Sequence, residues 1–242
     1  MRGSTFGTRI AVASDMAIED WLLVEATDVD FGTGRVGSRL RLGLIGLDPS
    51  HSVASAEILY GQAALPHGAR LTYAFSGRAQ VQDWAVSWSR LDGFTAKVKE
   101  FGVDVLANPQ TVAEKGELVF STKVDGRMPR DLFEKVALRG KPVFIDKRFA
   151  TSSQNAARML ALVGPAGIPL MSCSSRPCSE AFAMGLADDS KDAVVGVDVF
   201  GPMAVETAAP GLFWYGIHGM DVVLRAAAQC RRPTARTARS AR

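Results

Sequence analysis

Apolar runs and amphipathic stretches alternate along most of this chain. Residues 42–47 are almost wholly apolar, as in a strand that is buried on both faces. A short polar turn at residues 48–50 ends the run, and from residue 51 the apolar positions recur about once per helical turn. The pattern therefore predicts a strand, a tight turn and a helix between residues 40 and 61.

The same alternation continues as far as residue 186. Further strands are predicted over residues 70–75, 103–106, 118–122, 142–145 and 169–173. The helices predicted between and after them cover residues 83–101, 112–115, 129–139, 152–163 and 179–186. Such regular alternation predicts a parallel, doubly wound sheet of the Rossmann type with right-handed crossovers.

The pattern changes in the last part of the chain. Residues 194–200 alternate like a strand but have no crossover helix behind them, so we expect the start of a second, antiparallel sheet. Residues 213–228 are helical in their later part. The segments before residue 37 and after residue 228 have no period, which predicts flexible or disordered ends.

These changes divide the chain into four predicted parts. They are a flexible N-terminal extension (1–38), a Rossmann nucleotide-binding domain (39–175), a partial C-terminal substrate or oligomerisation domain (176–228) and a disordered arginine-rich tail (229–242). The predicted fold class is α/β, a Rossmann-type doubly wound parallel sheet followed by an incomplete α/β domain.

Composition adds mainly an uneven distribution of charge. The 242 residues are 47% hydrophobic and 22% charged, which is ordinary for a globular protein of one large or two small domains. The net charge is +3, but six arginines and no acid lie from residue 225 onward, so the remaining chain carries −3. Positive charge confined to a tail argues against a nucleic-acid-binding domain.

Membrane and metal partners are also not expected. No apolar run is long enough to span a bilayer, and no secretory segment follows the first residues, so we expect a cytosolic protein. The three cysteines, Cys173, Cys178 and Cys230, indicate reduced thiols. Cys173 and Cys178 could form a ligand pair, but no second pair follows to complete a zinc site.

The first turn is the natural place for a dinucleotide phosphate, because a helix N-terminus offers N–H groups and a positive dipole end. A full glycine fingerprint would start at Gly46, but Asp48 takes the second glycine position and His51 the third. Asp48 brings a negative charge to the place where backbone approaches a pyrophosphate, so we expect weak cofactor affinity. A β/α unit without a nucleotide stays open.

The second strand ends without the acidic residue that binds ribose hydroxyls in many nucleotide sites. Ser76 and Arg78 follow it instead. Arg78 could face a 2′-phosphate, which would favour NADP, or it could be a solvated loop arginine.

Two side chains could move protons. Lys147 follows Asp146 at the carboxyl end of the fifth strand, where ligands bind in open α/β sheets. A lysine there can polarise an oxygen and share its proton, or it can simply be solvated. His218 lies one helical turn before Asp221, and a histidine near a carboxylate can act as a general acid or base. Taken alone, that histidine is better explained by structural hydrogen bonds at a helix end.

Three segments in this order resemble the Gfo/Idh/MocA oxidoreductase family. They are the first strand with Gly43-Leu-Ile-Gly46, the stretch GKPVFIDKRFA at residues 140–150, and WYGIHGMD at residues 214–221. Lys147 matches the family's active-site lysine, and His218 and Asp221 match its D-x-x-x-H-x-x-D pattern. The family's Glu, Pro and first Asp are replaced here by Asp146, Arg148 and Trp214.

The resemblance covers roughly residues 40–228 and implies a Rossmann domain followed by an α/β domain on an open antiparallel sheet. It implies oxidation or reduction of a sugar, cyclitol or related hydroxy compound with NAD or NADP, the hydroxyl proton being handled by Lys147 and His218. The predicted catalytic residues are Lys147, His218 and Asp221. The predicted cofactor-binding residues are Gly46, Leu47, Asp48, Ser50, His51, Ser76, Arg78, Thr122, Asp146 and Lys147.

The alternative is a non-catalytic ligand-binding or regulatory protein on the same scaffold, inactive because of the altered glycine loop and a truncated second domain. The family's large sheet should follow where this chain ends. An incomplete sheet also argues against the family's type of homo-oligomer.

Overall fold

The structure is a computed structural model that describes residues 8–12, 40–60, 69–77, 85–123, 129–187, 194–205 and 211–230. Its strands are β1 (Thr8–Val12), β2 (Leu40–Ile45), β3 (Ala69–Phe75), β4 (Asp104–Val105), β5 (Leu118–Ser121), β6 (Val143–Asp146), β7 (Leu170–Cys173) and β8 (Val194–Val199). Its α-helices are α1 (Ser50–Tyr60), α2 (Ala85–Glu100), α3 (Pro109–Lys115), α4 (Pro129–Ala137), α5 (Ser153–Val163), α6 (Glu180–Ala187) and α7 (Gly216–Cys230). Single 3₁₀ turns lie at Arg176–Cys178 and Gly211–Phe213. None of the described helices is long and apolar enough to cross a membrane.

Six strands form one parallel sheet in the order β4-β3-β2-β5-β6-β7. Strand β2 pairs with β3 on one side and with β5 on the other, so the chain winds outward from β2 in both directions. This is the strand order of the Rossmann fold, with its topological switch point between β2 and β5. The predicted doubly wound sheet is confirmed.

The core fills both faces of this sheet because neighbouring residues of a strand point to opposite sides. On one face, Leu44 of β2 packs in a cluster with residues of α1 and α2. On the other face, Ile45 packs in a cluster with residues of α3, α4 and α5. Leu44 and Ile45 are at most 1% exposed. Burial on both faces explains why β2 has a continuous apolar sequence instead of an alternating one.

Every strand and helix predicted for the sheet domain is present, with ends that differ by three residues or fewer. The largest difference is the start of α3, where the side chain of Asn108 accepts from Thr111 N and Pro109 opens the helix. The cap of α5 is Ser152, whose side chain accepts from Asn155 N.

The two remaining strands differ from the prediction. β8 pairs with β1 in a parallel, two-stranded sheet, with Ile10 opposite Val197, whereas we expected β8 to begin an antiparallel sheet. β1 also lies within the segment that we predicted to be a flexible extension. A parallel pair needs a long crossover connection. Here the chain that connects β1 to β8 forms the whole Rossmann sheet. On one face of β8, the side chains of Val197 and Val199 pack against α6 and α7.

Some predictions fall on residues outside the described ranges. They are Arg78, most of the N-terminal extension (residues 1–7 and 13–38) and the segment 231–242. Helix α7 continues two residues beyond its predicted end.

Candidate active site

The turn after β2 is tied to the neighbouring strand ends by main-chain and side-chain hydrogen bonds. Gly46 N donates to Phe75 O (2.9 Å) and Leu47 N donates to Ser76 O (3.1 Å). Thr122 Oγ1 donates to Gly46 O (2.7 Å) from the end of β5. Four predicted cofactor positions, Gly46, Leu47, Ser76 and Thr122, are therefore brought together at the carboxyl edge of the sheet.

Gly46 has a conformation that favours glycine. Its φ is +98°, and a Cβ built there would lie 2.5 Å from Lys123 Cδ. A larger residue at this position would be strained by the left-handed backbone and would clash with the Lys123 side chain. These two effects explain why the turn keeps one glycine of the fingerprint.

Asp48 does not present its charge to solvent. Its carboxylate is 0% exposed, accepts from Ser87 Oγ (2.8 Å) and lies 3.3 Å from Lys123 Nζ. Lys123 is equally buried and also donates to Gly77 O. The negative charge that we expected to repel a pyrophosphate is neutralised inside the fold.

Sequence reasoning missed Lys123. The signal was present, since a lysine directly follows the fourth predicted strand. Because β5 lies beside β2, a residue at the end of β5 necessarily comes close to the turn that holds Asp48.

His51 and Asp146 join the two halves of the sheet across the switch point. His51 Nδ1, in the first turn of α1, donates to Asp146 Oδ2 (2.8 Å) at the end of β6. The other carboxylate oxygen accepts from Lys147 N (2.7 Å). Both residues were predicted as cofactor positions, but the bond between them was not predicted. Ser50, the first residue of α1, is exposed.

Aromatic rings before α7 cover the basic residues that follow β6. Lys147 Nζ lies 5.7 Å from the ring centroid of Trp214 and 6.0 Å from that of Tyr215. The guanidinium carbon of Arg148 lies 5.5 Å from the Trp214 centroid, and Arg148 Nη1 donates to Phe213 O (2.8 Å). The peptide bond between Lys147 and Arg148 is cis. The residues that replace the family's proline and first aspartate, Arg148 and Trp214, are thus in contact with each other.

Ser174 holds two of the predicted catalytic residues. Its Oγ shares a hydrogen bond with His218 Nδ1, and its N donates to Asp221 Oδ2. Ser174 is 0% exposed and directly follows β7. Sequence reasoning paired His218 with Asp221 directly, whereas the structure connects them through this serine, for which the sequence carries no recognisable motif.

Lys147 and His218 line two different cavities. Lys147 and Asp221 line a cavity of about 340 Å³ that Ile217 also borders. His218 lines a second cavity of about 380 Å³ together with Arg176 and Tyr215. Successive helix residues are about 100° apart. Ile217 and Asp221 therefore face the same side of α7, whereas His218 is turned by about 100° from Ile217. The two residues to which the resemblance assigns the hydroxyl proton are therefore divided between two cavities.

Burial and nearby cations shift the ionisation of these groups. Burial lowers the pKa of His218 to about 3, and the charges of Lys147 and Arg176 act in the same direction. Burial also lowers the pKa of Lys147, which Asp146 opposes. Burial raises the pKa of Asp221, against the hydrogen bond from Ser174 N. His218 is therefore a neutral imidazole at pH 7, and Lys147 loses its proton more readily than an exposed lysine.

Comparisons with known proteins give a fold-level likeness. No protein-family model and no curated protein matches the sequence. Among solved structures, the chain resembles a dehydrogenase, MviM, from Clostridium difficile with 15% identity and a TM-score of 0.42, over 55% of this chain and 38% of that one. It resembles a probable dehydrogenase from Thermotoga maritima with 20% identity and a TM-score of 0.43, over 55% and 35%.

A third similar structure is biliverdin reductase from Synechocystis in complex with biliverdin and NADP+. The identity is 18% and the TM-score 0.43, over 55% of this chain and 37% of that one. In all three cases the match spans well under two thirds of the other protein. Two of these proteins are described as dehydrogenases and the third as a reductase.

The buried pair of Asp48 and Lys123 yields a stability prediction. Lys123→Met leaves the Asp48 carboxylate buried without its cation and should cost about 3–5 kcal/mol of unfolding free energy. The double variant Asp48→Asn, Lys123→Met removes both charges and should recover much of that loss. Urea unfolding measures both, and Lys135→Met on the exposed surface of α4 is the matched control. Equal losses for Lys123→Met and Lys135→Met would show that the pair does not stabilise the fold.

The pKa of His218 predicts how stability depends on pH. Unfolded histidine takes up a proton near pH 6.5, whereas folded His218 does so near pH 3, so the unfolded state binds more protons between these values. The contribution of His218 to stability is therefore lost as pH falls from about 6.5 towards 3. Asp221 has the opposite sign, because its pKa is raised on folding. Unfolding of the wild type and of His218→Gln at a series of pH values should show a shallower acid loss in the variant, and parallel profiles would contradict the assignment.

Proposed function

We propose that the chain is an NAD- or NADP-dependent oxidoreductase that acts on a sugar, cyclitol or related hydroxy compound. The observation that carries the proposal is Lys147, a largely buried lysine at the carboxyl end of a Rossmann strand with a lowered pKa. A lysine that gives up its proton more easily than usual is suited to exchange a proton with a hydroxyl group.

The residues at the switch point fit a dinucleotide. Helix α1 has eleven residues, begins at an exposed serine, Ser50, and has no acidic residue in its first turn. Its N-terminus can therefore receive a pyrophosphate, and the acid of the preceding turn, Asp48, is paired with Lys123. Ser76 and Thr122 lie at the adjoining strand ends. A bound dinucleotide would supply a nicotinamide ring that accepts or donates a hydride.

Lys147 handles the hydroxyl proton in this proposal. In the direction of oxidation, the neutral amine of Lys147 takes the proton from the substrate hydroxyl oxygen, and the hydride leaves the carbon that bears this oxygen. In the direction of reduction, the ammonium returns it. The rings of Trp214 and Tyr215 cover the ammonium and restrict its access to water.

His218 lines the other cavity, and the proposal gives it a supporting role in the same step. Its Nδ1 is occupied by Ser174, so Nε2 is the ring atom available to a substrate oxygen. The positive charge of Lys147 lowers the pKa of His218, so the two groups are close enough for the protonation of one to affect the other. Asp221 contributes by fixing Ser174 through its main-chain N–H.

The cofactor part of the proposal is tested at the start of α1. Ser50→Glu places a negative charge at the helix N-terminus and should weaken NADH or NADPH binding by roughly tenfold or more, without loss of fold. Fluorescence titration of the reduced cofactor measures the affinity. Ala96→Glu, an exposed position in the later part of α2, is the control and should leave the affinity unchanged. Equal weakening by both variants, or no binding by the wild type, would overturn the proposed cofactor site.

The catalytic part is tested at Lys147. Lys147→Ala should lower the turnover number about a hundredfold or more, as loss of a general acid or base does, while cofactor affinity changes little. Lys135→Ala, exposed on α4, should match the wild type. Absorbance of the reduced cofactor with a panel of sugars and cyclitols gives the rate. A wild type that binds cofactor but turns over none of them would favour the non-catalytic alternative.

A further inference from the structure

Two thiols lie next to each other beside the candidate active site. Cys173 Sγ, at the end of β7, is 3.8 Å from Cys178 Sγ, at the end of the 3₁₀ turn Arg176–Cys178. Neither is in a disulfide. A disulfide has an S–S distance of about 2.0 Å, so the two sulfurs need to approach by about 2 Å. The intervening turn is short, and this approach is a local movement.

A small oxidant has a route to the first of these thiols. Cys173 is partly exposed and lines the 340 Å³ cavity that Lys147 and Asp221 also line. Cys178 is 8% exposed and lies behind it. An exposed thiol backed by a buried one is the arrangement in which the first is oxidised and the second resolves it.

Ser174 directly follows Cys173 and also contacts Cys178. Its carbonyl oxygen accepts from Cys178 Sγ at 3.8 Å, while its Oγ and N hold His218 and Asp221. Closure of Cys173 on Cys178 removes the thiol proton that Cys178 donates to Ser174 O, and we expect the loss of this bond to move the serine that orients both residues of α7. Such a movement would affect the hydrogen bond between Ser174 Oγ and His218 Nδ1 most, because this bond depends on the rotamer of a single serine side chain.

We propose that Cys173 and Cys178 are a site of reversible oxidation by peroxides, and that their disulfide form releases His218 from Ser174. The Cys173 thiolate attacks one peroxide oxygen, which breaks the O–O bond and gives a sulfenic acid and hydroxide. The Cys178 thiolate then attacks the sulfenic sulfur, which forms the S–S bond and expels the second hydroxide. The two thiol protons convert both hydroxides to water. The two sulfurs lose two electrons in total, the peroxide gains them, and a dithiol reductant reverses the change.

Trypsin digestion reads the modification directly. Pro177 protects the Arg176 peptide bond, so both cysteines stay on one peptide, residues 159–191, and Cys230 falls on another. After treatment of the full chain with hydrogen peroxide and then with an alkylating agent, that peptide should lack two hydrogens and carry no alkyl group. Dithiothreitol should restore two alkylation sites. A peptide in which Cys173 is a sulfinic acid while Cys178 is still alkylated would overturn the proposal.

Single substitutions separate this pair from other thiol chemistry. Cys173→Ser and Cys178→Ser should each abolish the internal disulfide, whereas Cys230→Ser should form it as the wild type does. Loss of the linkage in Cys230→Ser would show that the partner is Cys230 and would sink the assignment. Urea unfolding of the reduced variants checks that each is folded.

The effect on the site is read from the imidazole of His218 by NMR. Oxidation should shift the His218 ring signals in the wild type and in Cys230→Ser, and should leave them unchanged in Cys173→Ser. A disulfide that forms without any shift would show that Ser174 keeps its bond, which contradicts the second half of the proposal.

The consequence for turnover depends on the proposed function, but the mass and NMR measurements need no cofactor or substrate. An active dehydrogenase whose cysteines stay reduced would remove the oxidation site alone. A chain that forms the disulfide but binds no dinucleotide would remove the proposed function alone.

Discussion

The buried ion pair between Asp48 and Lys123 is the constraint on which the rest of the site depends. Both charges are fully removed from water, and such a pair is tolerated only when each partner is held in place by further hydrogen bonds. Ser87 and Gly77 supply those bonds from α2 and from the end of β3. One pair thus fixes the turn after β2 against both neighbouring strands. It also pairs the charge of Asp48, which directly precedes the N-terminal turn of α1, with a cation.

A second layer of contacts builds outward from that turn. His51 reaches across the switch point to Asp146, and Asp146 in turn holds the backbone of Lys147. The lysine side chain then meets Trp214 and Tyr215, which precede α7. The turn after β2 and the proposed proton-transfer groups are therefore linked through a short series of bonds. Hydrogen bonds fix the first links, whereas looser ring contacts form the last.

The sheet could be predicted from the sequence because its central strands, β2, β5 and β6, are buried and therefore apolar, while the helices between the strands have their own period. The switch at residue 48 and the alternation as far as α6 are local signals. The partners of Asp48 could not be read in this way, since Lys123 and Ser87 come close only after distant strands and helices have packed. The same holds for Ser174, whose role depends on α7 lying beside the end of β7. The direction of β8 also depends on a distant strand, β1, whose five residues give no periodic signal of their own.

The pairing of β1 with β8 has a consequence for how the chain folds. β1 leaves the ribosome first among the described strands, and its partner emerges only after the whole Rossmann sheet has been made. Closing so long a loop costs conformational entropy that no nearby contact repays, so this contact should form late. During synthesis β1 has an unpaired edge. The Rossmann sheet is built from neighbouring β/α units and can therefore fold before β1 pairs with β8.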